Sequence, residues 1–445
     1  MARKSKNSSI IEDLEALDRD LEYGEPCDSS TQDCCIYKVP ETLREINNKK
    51  WFQPRVVSIG PYYHYSNYEL DKQQSLHLQV VQKHKWKFCS ILLSQANKGE
   101  KELMEIISPL VAEARGLYSE IPELHAEKNN GRFLKMLIRD GCFILELFRI
   151  LGKSKKIESN HPLASVAWAI PQFYGDLLLL ENQIPFVVLK KLFETSKMPD
   201  EDYPLSLLAL RFFNKAMRRS DEELKKMSEH LNDSLHLLDL VRGSFITPEL
   251  DQPPKEKKPV PVISCITKLL KAGIKIKPAK AEADSFLAVK YKNGVIEMPK
   301  ITVYYFMHSF LVSCRAFEQL HKDSSKHITV YAYFLDCLVN TAKDAEYLHE
   351  HNIINSYVGK NSEVVQFINK LGKEMDVETH QFYLYHFFKD VNRRCEAKWK
   401  KQWTGFKHRY FNSPWSFISL LAAGVLLVLT LLQTYYTIYA YVNPK

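Results

Sequence analysis

Glycine and proline are scarce, 15 and 20 of 445 residues, which excludes a collagen-like or low-complexity chain. Paired cysteines are missing too. The nine, at 27, 34, 35, 89, 142, 265, 314, 337 and 395, are odd in number and contain no C-x-x-C. That pattern excludes a disulfide-stapled scaffold and predicts reduced thiols in a cytosolic chain. Cys142, Cys314 and Cys337 sit in apolar runs and read as small core residues, while Cys395 reads as a free thiol beside a basic segment. Catalytic signatures are equally absent. There is no G-x-G-x-x-G, no G-x-S-x-G and no H-E-x-x-H. Gly152-Lys153-Ser154 resembles the end of a Walker A loop, but Leu147 stands where the earlier glycine belongs. His349 and His351 are two apart, so on a helix they face different ways and cannot share a metal. No metal, no cofactor and no enzymatic activity are expected.

Charge disappears entirely from residues 410–444, whose centre reads PWSFISLLAAGVLLVLTLLQTYY. Residues 415–435 would form a helix about 30 Å long at about 1.5 Å per residue, the thickness of a bilayer's hydrocarbon core. Pro414 suits the first helical position with Ser413 before it, Trp415 and Tyr435 mark the two interfaces, and Gly424 lies mid-span. A single membrane crossing is expected. The formal charge of +8 concentrates next to it: residues 389–409 carry eight Lys and Arg, among them Arg393, Arg394, Lys398, Lys400, Lys401, Lys407 and Arg409, against two acids. Only Lys445 follows the span, so residues 1–388 are near neutral. The positive-inside rule then puts the large N-terminal part in the cytosol, and the late span implies insertion as a tail anchor, with the plasma membrane among the candidate membranes. The first twenty residues turn acidic without an apolar stretch, so no signal peptide is expected. Trp399, Trp403, Phe406 and Tyr410 interleave with the basic residues and could stack single-stranded bases. Directly before a span, the same charges point to membrane lipid as the partner and not to nucleic acid.

Residues 1–35 read as peripheral, with one amphipathic helix over residues 9–22. Residues 36–388 read as one mainly helical domain containing a Pro- and Lys-rich linker at 251–262, followed by a basic juxtamembrane helix at 389–411 and the anchor with a short tail at 412–445. Helical periodicity covers residues 39–50, 76–93, 101–118, 132–151, 177–195, 205–218, 265–272, 331–349, 361–373 and 382–406. VVSIGPYYHY, from Val56, reads as a short strand ended by Gly60-Pro61, and Asn293-Gly294 predicts one β-hairpin between residues 285–291 and 295–299. Residues 301–314 are uncharged but too short for a span, and read as buried core. The fold class is therefore mainly α (α+β), a large helical domain with a short strand, one β-hairpin and a C-terminal transmembrane helix.

The polar residues that break the apolar runs are Asp140, Asp176, Glu181, Asn182 and Gln183. Buried carboxylates are costly unless paired. They could serve as an acid and base pair in a membrane-tethered enzyme. No nucleophile accompanies them, and the preferred reading is a polar knot that binds backbone groups left unpaired at Pro185, with Arg139, Arg115 or Lys85 as counter-ion.

Taken in order, several blocks resemble one plant family. They are Ile36-Tyr37-Lys38-Val39-Pro40, V-S-I-G-P-Y at 57–62, H-K-W-K at 84–87, Ala114-Arg115 with Tyr118, and D-G-C-F at 140–143. D-L-L-L-L-E-N-Q-I-P-F follows at 176–186, then His236-Leu237-Leu238-Asp239, Lys271-Ala272-Gly273-Ile274, A-F-E-Q at 316–319, and Tyr410-Phe411 with Pro414-Trp415. Over nearly its whole length the chain is similar to the domain of unknown function 247 family, also called UPF0481. The resemblance implies a mostly helical protein ending in one membrane span, with no established activity or cofactor. Independently of the resemblance, the anchor and the lack of a catalytic constellation lead to the expectation of a protein partner in signalling or recognition.

Overall fold

The computed structural model describes residues 34–65, 72–119, 130–217, 219–248, 250, 252–254, 259–279, 285–303, 305–356, 361–373, 377–411 and 414–442. The helix expected over residues 9–22 and the N-cap role of Ser413 lie outside them. Pro40, the residue at the N-cap, precedes α1 (Glu41–Asn47). α2 (Lys72–Ala96) then packs along α5 (Asn130–Leu147), with Phe88 edge-on to Phe143 at 5.0 Å. Between them, the helix expected over residues 101–118 is divided into α3 (Glu100–Ile107) and α4 (Val111–Gly116). Pro109 lacks an amide hydrogen, so the joint tightens to a 3₁₀ turn at Ser108–Leu110.

α6 (Ile170–Asp176), α7 (Phe186–Thr195), α8 (Leu205–Met217), α9 (Asp221–Glu229) and α10 (Leu237–Gly243) complete the first half. The single helix expected over residues 177–195 is not there. Residues 177–185 are irregular yet buried, and α7 begins only after Pro185. Two causes combine: Pro185 cannot continue a helix, and the side chains of Asn182 and Gln183 bond backbone carbonyls that a helix would have used.

In the second half α11 (Ile266–Lys271) ends at Gly273, whose φ of 75° is the left-handed conformation a helix terminus needs. β1 (Lys275–Pro278), β2 (Lys290–Lys292) and β3 (Val295–Met298) form a sheet of order β1-β3-β2. The hairpin expected at Asn293-Gly294 is β2–β3, and both turn residues have positive φ. β1 joins it in parallel, a pairing with no local signal. β4 (Ile301–Val303) pairs in parallel with β5 (Ile354–Ser356). α12 (Tyr305–Leu320) carries the uncharged run predicted to be core, and Phe310 and Ser313 on it are fully buried. The helix expected over residues 331–349 is two, α13 (His327–Leu338) and α14 (Ala342–Glu350), because Thr341 and Asp344 close a capping box that starts a new helix.

α15 (Asn361–Leu371) leads to α16 (Tyr385–Phe411) and α17 (Pro414–Val442). One continuous core runs from Cys35 to Val391 and draws residues from both sides of the segment at 251–262.

Candidate functional site

VVSIGPYYHY is not a strand. Residues 54–61 cross the interior without strand pairing, and Val56, Val57, Ile59 and Gly60 are buried. An irregular backbone inside a protein needs a partner for every amide. Here side chains supply them. Asp176 accepts from the amides of Arg55 (3.0 Å), Val56 (2.8 Å) and Val57 (3.1 Å), and from the hydroxyl of Tyr305 (2.7 Å). Asn182 Oδ1 accepts from the Ile59 amide at 2.6 Å, while its amide nitrogen donates to the carbonyls of Val57 and Asp176. Asp140 Oδ2 accepts from the Gly60 amide at 2.8 Å, and Asp140 Oδ1 takes a hydrogen bond from Lys85 at 2.6 Å. Gly60 has a φ of 74°, and a Cβ there would run into the Gln183 carbonyl oxygen.

Glu181 holds a second piece of chain. Its carboxylate accepts from the Val39 amide (2.6 Å), the Tyr63 hydroxyl (2.8 Å) and both ways from Arg44, whose Nε also donates to the Val39 carbonyl. Gln183 ties residues 177 and 179 through their carbonyls and accepts from the Leu238 amide at the start of α10. The structure therefore brings these five residues together: Asp140, Asp176 and Asn182 clamp residues 55–60, Glu181 holds Val39, and Gln183 ties residues 177 and 179 to the start of α10. Only Asn182 and Gln183 bind backbone carbonyls of the irregular stretch that ends at Pro185, those of residues 176, 177 and 179; the carboxylates bind distant chain instead. Of the proposed counter-ions only Lys85 serves. Arg139 lies over Trp86 and Arg115 bonds Asn130, while the cation on Glu181 is Arg44. Arg44 and Tyr305 went unread because 137 and 129 residues separate them from their carboxylates, beyond any local periodicity.

Electrostatically the clamp is a desolvated site. Burial pushes the Asp176 carboxyl up, against the pull of its amide donors, and burial pushes the Lys85 ammonium down, against the attraction of Asp140. The Tyr305 phenol is driven well up by burial and then by the adjacent Asp176. Asp140, Asp176 and Glu181 are at most 2% exposed, and every one of their oxygens is hydrogen-bonded to the chain. The arrangement can hold backbone; it offers no acceptor to a substrate.

Similar stations recur elsewhere. Glu318 accepts from the Ile328 and Thr329 amides and the Thr329 hydroxyl and pairs with Arg242, and Glu201 is gripped by Arg149 at 2.9 and 2.8 Å. His236 caps α10: Nδ1 accepts from the Asp239 amide, Nε2 donates to the Cys35 carbonyl, and burial lowers its pKa to about 4. These explain why E-N-Q and H-L-L-D blocks stand where they do. Among the described residues no three His, Cys, Asp or Glu are grouped to hold a metal ion. The Gly152-Lys153-Ser154 turn lines an open cleft of about 350 Å³, where Lys153 pairs with Asp200 (3.0 Å) and Glu201 (3.2 Å) and Arg211 with Asp221.

At the other end of the molecule, Leu421–Tyr439 within α17 is long and apolar enough to cross a membrane, and none of it is buried. Trp415, Gly424 and Tyr435 fall on this helix, which begins at Pro414. Arg393, Arg394, Lys398, Lys400, Lys401, Lys407 and Arg409 all fall on α16, which runs without interruption out of the core.

A mainly helical head clamped by buried carboxylates, followed by a basic helix and an apolar one, defines a class by architecture and not by chemistry. The chain belongs to the plant protein family of unknown function called domain of unknown function 247, whose model matches residues 36–429. It is 35% identical over 439 residues to a UPF0481 protein of Arabidopsis thaliana, covering 93% of this chain and 88% of that one. A second UPF0481 relative from the same plant is 23% identical over 193 residues, 43% of this chain and 36% of its own. No solved structure matches.

Proposed function

We propose that the protein is a single-pass, membrane-anchored interaction module, with a rigid helical head in the cytosol that binds another protein in signalling or recognition and catalyses no reaction. The observation that carries the reading is the pairing of an apolar helix at Pro414–Val442, unburied over Leu421–Tyr439, with a helix rich in Lys and Arg immediately before it. Its basic residues set the orientation and contact anionic lipid. The non-catalytic part rests on the clamp, whose carboxylates are consumed by backbone amides. A protein partner is favoured by the head's exposed tryptophans, Trp168 (48%) and Trp86 (39%), since tryptophan is enriched among the residues that carry most of an interface's binding energy.

Two measurements test this. The chain should resist extraction from plant membranes by alkaline carbonate, and Asn7 and Asn232, both in acceptor sequences, should carry no glycan; a glycan on either overturns the cytosolic orientation. Proximity labelling from the N-terminus should recover a reproducible protein neighbour that Trp168→Ala weakens; failure to recover any overturns the interaction reading.

A further inference from the structure

The near-neutral head is not evenly charged. On the β1-β3-β2 sheet the register places Lys275 opposite Val295 and Lys277 opposite Glu297, with Lys292 and Lys290 across the same two residues on the other side. Alternation puts these six on one face, and all four lysines are exposed, whereas Ile276, Ile296 and Met298 on the opposite face are buried. Four lysines therefore surround one acid, and none of the four forms an ion pair with another described residue. The face abuts α16. Tyr291 meets Phe387 edge-on, and an open cleft of about 640 Å³ separates the hairpin turn from Asp390, Arg393 and Arg394. The Lys398 ammonium fills the space a side chain on Gly273 would take, which fixes β1 to the same helix.

We propose that this lysine face docks the head on the anionic bilayer surface that α17 enters. The inference rests on the membrane-anchor reading and extends it from the juxtamembrane charge to the folded head. Charge complementarity names the occupant, and the geometry sets a condition. Lys398 precedes Pro414 by sixteen residues, about 24 Å along a helix, whereas surface charges act over about 8–10 Å. The sheet reaches the headgroups only if α16 lies along the surface. The spacing of Trp399, Trp403, Phe406 and Tyr410 suits that, because steps of four, three and four place these positions on one face of the helix, with Lys398 and Arg409 on one flank and Lys400 and Lys407 on the other.

The test uses the full chain reconstituted in bilayers of phosphatidylcholine alone or of equal parts phosphatidylcholine and phosphatidylserine. An amine-acetylating reagent is applied and the modification of each lysine is read by mass spectrometry. Lys275, Lys277, Lys290 and Lys292 should react about fivefold more slowly on the anionic bilayer, the ratio expected for the attraction of one basic residue to such a surface. High salt should abolish the difference, and Lys226 on α9 should show none. Equal rates on the two bilayers would overturn the proposal and leave these lysines as guards of the sheet edges. Protection by added RNA with none by phosphatidylserine would also overturn it, in favour of a nucleic-acid surface. A chain that carbonate extracts, yet whose lysines are still protected by anionic vesicles, would sink the anchor reading while supporting the docking surface.

Discussion

Replacing Asp176 by alanine should be among the most damaging single changes in the head. The carboxylate is fully buried and receives three backbone amides and one phenol. Alanine leaves all four donors without an acceptor, and each buried donor so stranded costs about 1–3 kcal/mol. Water can enter the space of the lost carboxylate and recover part of this, so the net loss is put at about 4 kcal/mol, a large share of the roughly 5–15 kcal/mol that holds an average domain together. Asp176→Asn is the sharper variant. It nearly preserves volume but turns one acceptor oxygen into an NH₂ group that must face an amide or the Tyr305 hydroxyl, and a loss of about 2–3 kcal/mol is expected. The assay is denaturant unfolding of the detergent-solubilised chain, with hydrogen exchange of the Arg55, Val56 and Val57 amides as the local readout. Those amides should be strongly protected in the native chain and exchange freely in the alanine variant. A stability within 0.5 kcal/mol of wild type for Asp176→Asn, which is the range of an ordinary surface substitution, would refute the clamp and return Asp176 to the pool of groups free for chemistry.

Further outcomes are expected. Arg44→Met should cost about 3–5 kcal/mol by stranding the Glu181 carboxylate, and adding Glu181→Gln should recover part of it, as a double-mutant cycle would measure. Gly60→Ala should yield little folded protein, because the position needs φ of 74° and the new methyl meets the Gln183 carbonyl; a normal unfolding midpoint would contradict this. His236 and His308 have pKa values lowered to about 4, by burial first in both cases, so between about pH 6.5 and 4 the unfolded chain takes up protons that the folded chain refuses. Their stabilisation is complete above pH 6.5 and declines as pH falls to 4, by up to about 3 kcal/mol each. Asp176, Glu318 and Glu146, whose carboxyls are raised by burial, act in the opposite sense, so the check is the difference between wild type and His308→Phe: the variant should lose less stability on acidification.

The sequence made the helices legible wherever one face was apolar and no distant partner intervened, as in α2, α5 and α8, and it made the hairpin legible because Asn293-Gly294 encodes its own turn. It misled at Val56–Tyr62. That run has the β-branched composition of a strand, but its amides are claimed by Asp140, Asp176 and Asn182, which lie 80 to 123 residues away. The same long reach hid Arg44. The five polar residues were visible as anomalies within apolar runs, whereas what they bind was not, since a buried acceptor announces its cost but not its donor. The lysine face was hidden by averaging: alternate residues of two short strands contribute it, and total charge does not register which side of a sheet they occupy.

The clamp also bears on the order of events during synthesis. Residues 55–60 can be sequestered only when the acceptors at 140, 176 and 182 are available, so the amino-terminal part of the head cannot complete its fold until more than a third of the chain has been made. Closing loops of that length is slow relative to helix formation, and the apolar stretch at Val56–Tyr62 is exposed meanwhile. The head should therefore depend on chaperones during translation, and that dependence should not ease before residue 182 has been made.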